Sequence, residues 1–110
     1  LQAGTVRALA VTTASRAPFL PDVPSMSETV PGYDTEVWWG LLGPGNMPPD
    51  LVAKISRDFV AAVNTDDVKE RLGKLGAISI GSTPDQFAAK IKADYDKWGP
   101  IIKAAGMKAE

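Results

Sequence analysis

The period at which apolar residues recur changes several times along this chain, and each change marks a predicted element. Val6 to Thr12 is short, nearly all apolar and β-branched at both ends, the pattern of a strand buried on both faces of a sheet. From Thr13 to Pro24 the text turns polar, with Pro18, Pro21 and Pro24 fixing φ at regular steps, so this stretch is an ordered loop. Ser25 followed by Glu28 has the spacing of a capping box and predicts a short helix over Ser25 to Val30, stopped by Pro31-Gly32. Thr35 to Leu42 is aromatic and β-branched and reads as a second strand, closed by the turn Gly43-Pro44-Gly45-Asn46.

Helical spacing takes over at Pro48-Pro49. Leu51, Val52, Ile55, Phe59 and Val63 recur at three- and four-residue steps and predict an amphipathic helix. Thr65 is a good N-cap for a second helix with the stripe Val68, Leu72 and Leu75, and Gly76 supplies a left-handed C-terminal residue. Ala77 to Ile80 reads as a short strand. Thr83-Pro84-Asp85-Gln86 then opens a last helix whose stripe Phe87, Ile91, Tyr95, Trp98 and Ile102 is expected to be core. Gly99-Pro100 is expected to kink or break it, because proline removes a helical donor. The order of elements is α/β with room for a mixed sheet, and so few strands for a whole domain predict that neighbouring strands lie elsewhere.

Composition narrows what such a fold does. A chain of 110 residues is one domain or one piece of a domain, and 45% apolar with 23% charged residues is ordinary for a globular protein. The formal net charge of −1 supplies no electrostatic surplus for a nucleic-acid backbone or an anionic bilayer, so neither is an expected partner. No apolar run approaches the ~18 residues needed to span a bilayer, so membrane insertion is not expected. Cysteine and histidine are both absent, which removes thiolate nucleophiles, disulfides, Ser-His-Asp relays and Cys/His zinc sites. The chain starts at Leu1 without an initiator Met or a signal peptide, and is expected to be cut from something longer.

The candidate chemistry gathers in the first third. The loop Thr12-Thr13-Ala14-Ser15-Arg16 follows the C-terminal end of the first predicted strand, where open α/β sheets place ligands. Hydroxyls of Thr12, Thr13 and Ser15 with the bidentate donor Arg16 suit a carboxylate; loop solvation is the plainer reading of the same residues. Trp38 and Trp39, adjacent in a predicted strand, face opposite sides, so only one can line a given pocket; Trp38 is the candidate, and a buried structural role for both is the plainer reading. Asp22 is expected to anchor its loop by accepting backbone N–H bonds. The acidic pairs Asp66-Asp67 and Asp94 with Asp96 read as a helix-dipole match and a solvated face, not as a general acid and base or a metal site, and no cofactor is expected.

Ala3-Gly4-Thr5-Val6-Arg7-Ala8-Leu9-Ala10-Val11-Thr12, Arg16, Leu20-Pro21-Asp22-Val23-Pro24-Ser25 and Glu28 together resemble a segment of the receptors of tripartite tricarboxylate transporters, often called the Bug family. The likeness continues through Pro31-Gly32-Tyr33, Trp38, Gly40-Leu41, Pro44, Pro48-Pro49, Gly76, Gly81, Thr83-Pro84, Phe87, Trp98 and Ala105-Gly106, so it covers the whole chain. The resemblance implies the C-terminal fragment, roughly the last third, of a two-lobed periplasmic-binding-protein type II-like fold, a mixed sheet with flanking helices. It implies a periplasmic receptor, not an enzyme, that closes on a small organic anion such as a di- or tricarboxylate and delivers it to inner-membrane permease subunits. Residues 1–35 would be the last strand and loop of the second lobe with its crossover, and 36–110 the hinge strand and the completion of the first lobe. Self-association of the fragment through an unpaired sheet edge is the rival reading, and a small carboxylate-based enzyme the remotest.

Overall fold

A computed structural model describes residues 4–108. The chain divides into two compact units, Leu1–Leu41 and Leu42–Glu110. The first unit holds almost no regular structure. Among the described residues its one helical turn is a 3-10 turn at Met26–Glu28, capped by Ser25 through the capping box legible in the sequence, and its sheet-type pairing is a parallel bridge between Val11 and Ser25. Two backbone bonds make that bridge, Val11 N to Pro24 O at 2.9 Å and Met26 N to Val11 O at 2.9 Å.

The second unit is helical. Helix α1 spans Pro49–Val63, starting on the proline that the Pro48-Pro49 pair places in its first turn. Helix α2, Asp66–Lys74, packs against α1, and Gly76 closes it at φ +72°, the left-handed conformation that glycine adopts without cost. Thr65 does stand at the N-cap of α2, but its hydroxyl donates backward to Ala62 O at 2.8 Å, tying the α1–α2 link rather than capping α2. Helix α3, Pro84–Ala104, opens on the Thr83/Gln86 capping box, in which Gln86 N donates to Thr83 Oγ1 at 3.2 Å and Thr83 N to Gln86 Oε1 at 2.9 Å.

Three expectations are corrected. Val6 to Thr12, Thr35 to Leu42 and Ala77 to Ile80 form no strand ladder among the described residues, and a mixed sheet is therefore absent there. A ladder needs a second segment in register, and periodicity reports only on the segment that carries it. Pro100 does not break the last helix, which runs on to Ala104. A proline clashes with the Cβ of the residue before it, and Gly99 has none. The stripe of α3 is not a core: Tyr95 is 79% exposed, and Phe87, Ile91 and Trp98 are half-buried. Among the described residues only Ala17 and Ser25 are buried.

Unit two is stapled at the end of α1. Ser79 Oγ donates to Val63 O at 2.7 Å, and Asn64 Nδ2 donates to Val60 O at 2.9 Å. Gly81, at φ +60°, sits so close that a Cβ there would lie 2.9 Å from Asn64 Nδ2.

Candidate functional site

The Thr12–Arg16 loop is fixed through its carbonyl groups. Five consecutive carbonyls each accept a hydrogen bond: Val11 O from Met26 N, Thr12 O from Thr35 N at 2.8 Å, Thr13 O from Ser25 Oγ, Ala14 O from Ser27 Oγ at 2.7 Å, and Ser15 O from Thr13 Oγ1 at 2.7 Å. Only two N–H groups of the stretch are engaged, Val11 N as above and Ala14 N with Asp34 Oδ1 at 3.1 Å. The N–H groups of Thr12, Thr13, Ser15 and Arg16 have no acceptor among the described residues. Acceptors are thus consumed inside the unit while donors remain, the polarity an anion requires.

Arg16 is held side-on by Glu28. Nε donates to Oε1 at 2.8 Å and Nη2 to Oε2 at 2.9 Å, while Nη1 donates to Pro21 O at 3.1 Å. Such a bidentate pair fixes direction as well as distance. Glu28 Oε1 also accepts from Ser25 N at 2.9 Å, so one carboxylate ties the arginine, the 3-10 turn and, through Ser25 Oγ, the Thr13 carbonyl. The hydrogen bond from Arg16, aided by that from Ser25 N, lowers the Glu28 carboxyl to about 2, and the same pairing raises the Arg16 guanidinium above its ordinary value.

This makes a pH prediction. A carboxyl whose value is depressed by folding contributes stability above its unfolded value, near 4.5, and loses it as pH falls toward 2. The unfolding midpoint should therefore be insensitive to Glu28 from pH 5 to 9 and fall between pH 4.5 and 2. Thermal unfolding of Glu28→Gln beside the parent chain checks it: an equal acid dependence in both would rule out this pair as the source.

The other sequence-predicted residues are placed as follows. Asp22 accepts no hydrogen bond among the described residues; its loop is held instead by Leu20 N to Ala17 O at 2.9 Å, Val23 N to Leu20 O at 3.0 Å and the Arg16 bond to Pro21 O, which sequence spacing does not reveal. Asp22 acts on Arg16 only as a nearby charge. Trp38 is half-buried in the same unit and Trp39 is 79% exposed. A shallow groove of about 430 Å³ is lined by Val6 to Ala8 and Phe19 to Val23, and contains none of Thr12, Thr13, Ser15, Arg16 or Trp38. Sequence reasoning missed Ser25, Ser27 and Glu28 as partners of the loop; the Ser25/Glu28 cap was the visible signal, but its link to Thr13 and Arg16 was not.

The acidic pairs are helix-surface charges. Asp67 pairs with Arg71 at 3.0 Å, Asp94 with Lys90 at 3.0 Å and Asp96 with Lys92 at 2.6 Å, all one helical turn apart. No group of three or more acidic residues able to hold a metal occurs among the described residues, and no helix is long and apolar enough to cross a membrane.

Comparison with known proteins gives this unit a context. Residues 1–107 match the family described as "Tripartite tricarboxylate transporter family receptor". The chain belongs to that receptor family. It is 33% identical over 99 residues to the "UPF0065 protein in tcbD-tcbE intergenic region" of Pseudomonas sp. (strain P51), covering 88% of this chain and 30% of that protein. Against a second such protein, in the clcB-clcD intergenic region of Pseudomonas knackmussii, identity is 31%, covering 93% of this chain and 62% of the relative. "Protein BugT" of Bordetella pertussis is 27% identical, with 98% of this chain and 33% of BugT covered. The solved structure of the periplasmic binding protein BugD superposes on the full chain with a TM-score of 0.81 at 31% identity, and the chain covers 38% of BugD. The family chain described here thus spans about a third of BugD and BugT, and its helix-rich architecture, loop included, is that of part of a periplasmic binding protein.

Proposed function

We propose that this chain is part of an extracytoplasmic solute receptor that binds a small organic anion, a carboxylate, in the periplasm and passes it to the permease subunits of a tripartite tricarboxylate-type transporter. The observation that carries the reading is the loop at Thr12–Arg16, where the carbonyls of Thr12 to Ser15 accept hydrogen bonds while the N–H groups of Thr12, Thr13, Ser15 and Arg16 find no acceptor among the described residues, in a chain that superposes on part of BugD. Thr13 and Ser15 flank the donor groups, Arg16 supplies positive charge at their end, and Trp38 provides an apolar wall. Binding, not catalysis, suits this arrangement, since the two acids that reach the loop hold its structure, Asp34 through Ala14 N and Glu28 through Arg16. Residues 1–35 are assigned to one lobe of the receptor and 36–110 to the other. The exposed Leu9, Val37, Leu42, Ile78 and Ile80 are assigned to contacts with the remainder of the receptor.

The test is calorimetric titration of a receptor carrying this chain, and of the isolated chain, against acetate, succinate and citrate. Saturable binding of succinate or citrate by the receptor, with little by the isolated chain, is the expected result. Heat no greater than dilution for every acid would remove the carboxylate reading.

A further inference from the structure

The Thr12–Arg16 loop owes its polarity to residues that lie outside it, and the pattern of bonds singles out one of them. Ser25 and Ser27 hold the Thr13 and Ala14 carbonyls, and Glu28 in turn holds Ser25 N and both Arg16 nitrogens that face it. Ser25 is 2% exposed, so its bonds are shielded from water, whereas Arg16 and Glu28 are each about half exposed. Arg16 has five N–H donors, and three are engaged within the unit by Glu28 and Pro21 O. The guanidinium is therefore oriented before any anion arrives, and the loop backbone beside it is held at every carbonyl from Val11 to Ser15.

We propose that Glu28 is a positioning residue for anion recognition: by clamping Arg16 and the Ser25 turn it keeps the backbone N–H groups of Thr13 and Ser15 available as the atoms that receive a carboxylate. This rests on the receptor reading given above. It changes the chemistry of that reading, because recognition passes from the arginine fork to backbone donors, with Arg16 contributing charge and shape. A site of this kind selects for carboxylate geometry without depending on long side chains, whose ordering on binding carries an entropic cost that the clamp avoids.

Glu28→Gln isolates the clamp from the cap. Glutamine satisfies a capping box as well as glutamate does, so Ser25 N keeps its partner, while the charge that draws Arg16 is lost. In a receptor carrying this chain, titrated with whichever of succinate or citrate the unmodified receptor binds, E28Q should weaken binding about fivefold. Its thermal midpoint at pH 7 should fall, since the ionised carboxylate contributes its stability above pH 4.5. Saturation with the same acid should slow amide hydrogen exchange at Thr13 and Ser15 in the parent, and less in E28Q at equal occupancy. A merely structural Glu28 would lower the midpoint equally but leave affinity and ligand-dependent exchange alone, so those two readouts decide. Unchanged affinity in E28Q overturns the positioning role, and unprotected Thr13 and Ser15 amides in the saturated parent overturn the backbone-donor site. If the parent receptor binds neither acid, the receptor reading falls first and the inference with it.

Discussion

Ser25→Ala is expected to destabilise the first unit by about 2 kcal/mol, a larger effect than its size suggests. Its hydroxyl is the cap of the 3-10 turn, accepting from Ser27 N at 3.1 Å, and it donates to the Thr13 carbonyl from a position 2% exposed. Alanine leaves both partners unsatisfied where water has little access, so the cost is that of stranded polar groups and not of one exchanged hydrogen bond. Amide exchange at Val11 and Met26 reads it directly, because their bonds to Pro24 O and Val11 O close the bridge beside Ser25. Exchange at those two amides accelerated by less than about twofold would show that the hydroxyl holds nothing. Ser25→Thr, which keeps the oxygen, should retain most of the protection.

The second large effect is expected at Gly81. Its φ of +60° costs an L-residue about 1–2 kcal/mol, and an added Cβ would press on Asn64 Nδ2 at 2.9 Å and Val60 Cγ1 at 3.4 Å. Asn64 cannot withdraw freely, since that nitrogen is bound to Val60 O. Gly81→Ala should thus destabilise the helical unit by about 2 kcal/mol, by adding displacement of the Asn64 bond to the backbone strain. The control is Gly73→Ala, inside α2 with nothing within 4 Å of the new Cβ, where alanine should stabilise by about 0.5–1 kcal/mol. The three α-helices of the described residues lie in the second unit, so helical circular dichroism during urea unfolding follows both variants. Equal midpoints for the two alanine variants would refute the argument.

Much of the second unit was legible in the sequence because its determinants are local. Pro49 at the start of α1, the Thr83/Gln86 box and the left-handed Gly76 act within a few residues of their own positions, and each appears where the spacing put it. The capping box at Ser25/Glu28 was legible for the same reason. Strand periodicity at Val6 to Thr12 or Ala77 to Ile80 yields no ladder among the described residues, because periodicity does not supply the segment that pairs. Pro100 does not interrupt α3 because Gly99 carries no Cβ for the proline ring to crowd, a relief that counting the missing donor alone does not reveal. The candidate loop was recognised as a place, from its hydroxyls and arginine, but not as a mechanism. Arg16 meets Glu28 across twelve positions and Ala14 meets Asp34 across twenty, and no periodicity records such pairings.

The row of five occupied carbonyls bears on how this segment can change over generations. Neither Thr12 nor Ala14 contributes a side-chain hydrogen bond among the described residues; what each contributes is backbone. Substitution at these two places is therefore cheap. Length is another matter, because the partners of the row come from Thr13, Ser25, Met26, Ser27 and Thr35, each bound at one offset along the chain. One residue inserted between Val11 and Ser15 would shift part of the row against partners that cannot follow. The loop thus tolerates a change of residue at Thr12 or Ala14 far better than a change of length.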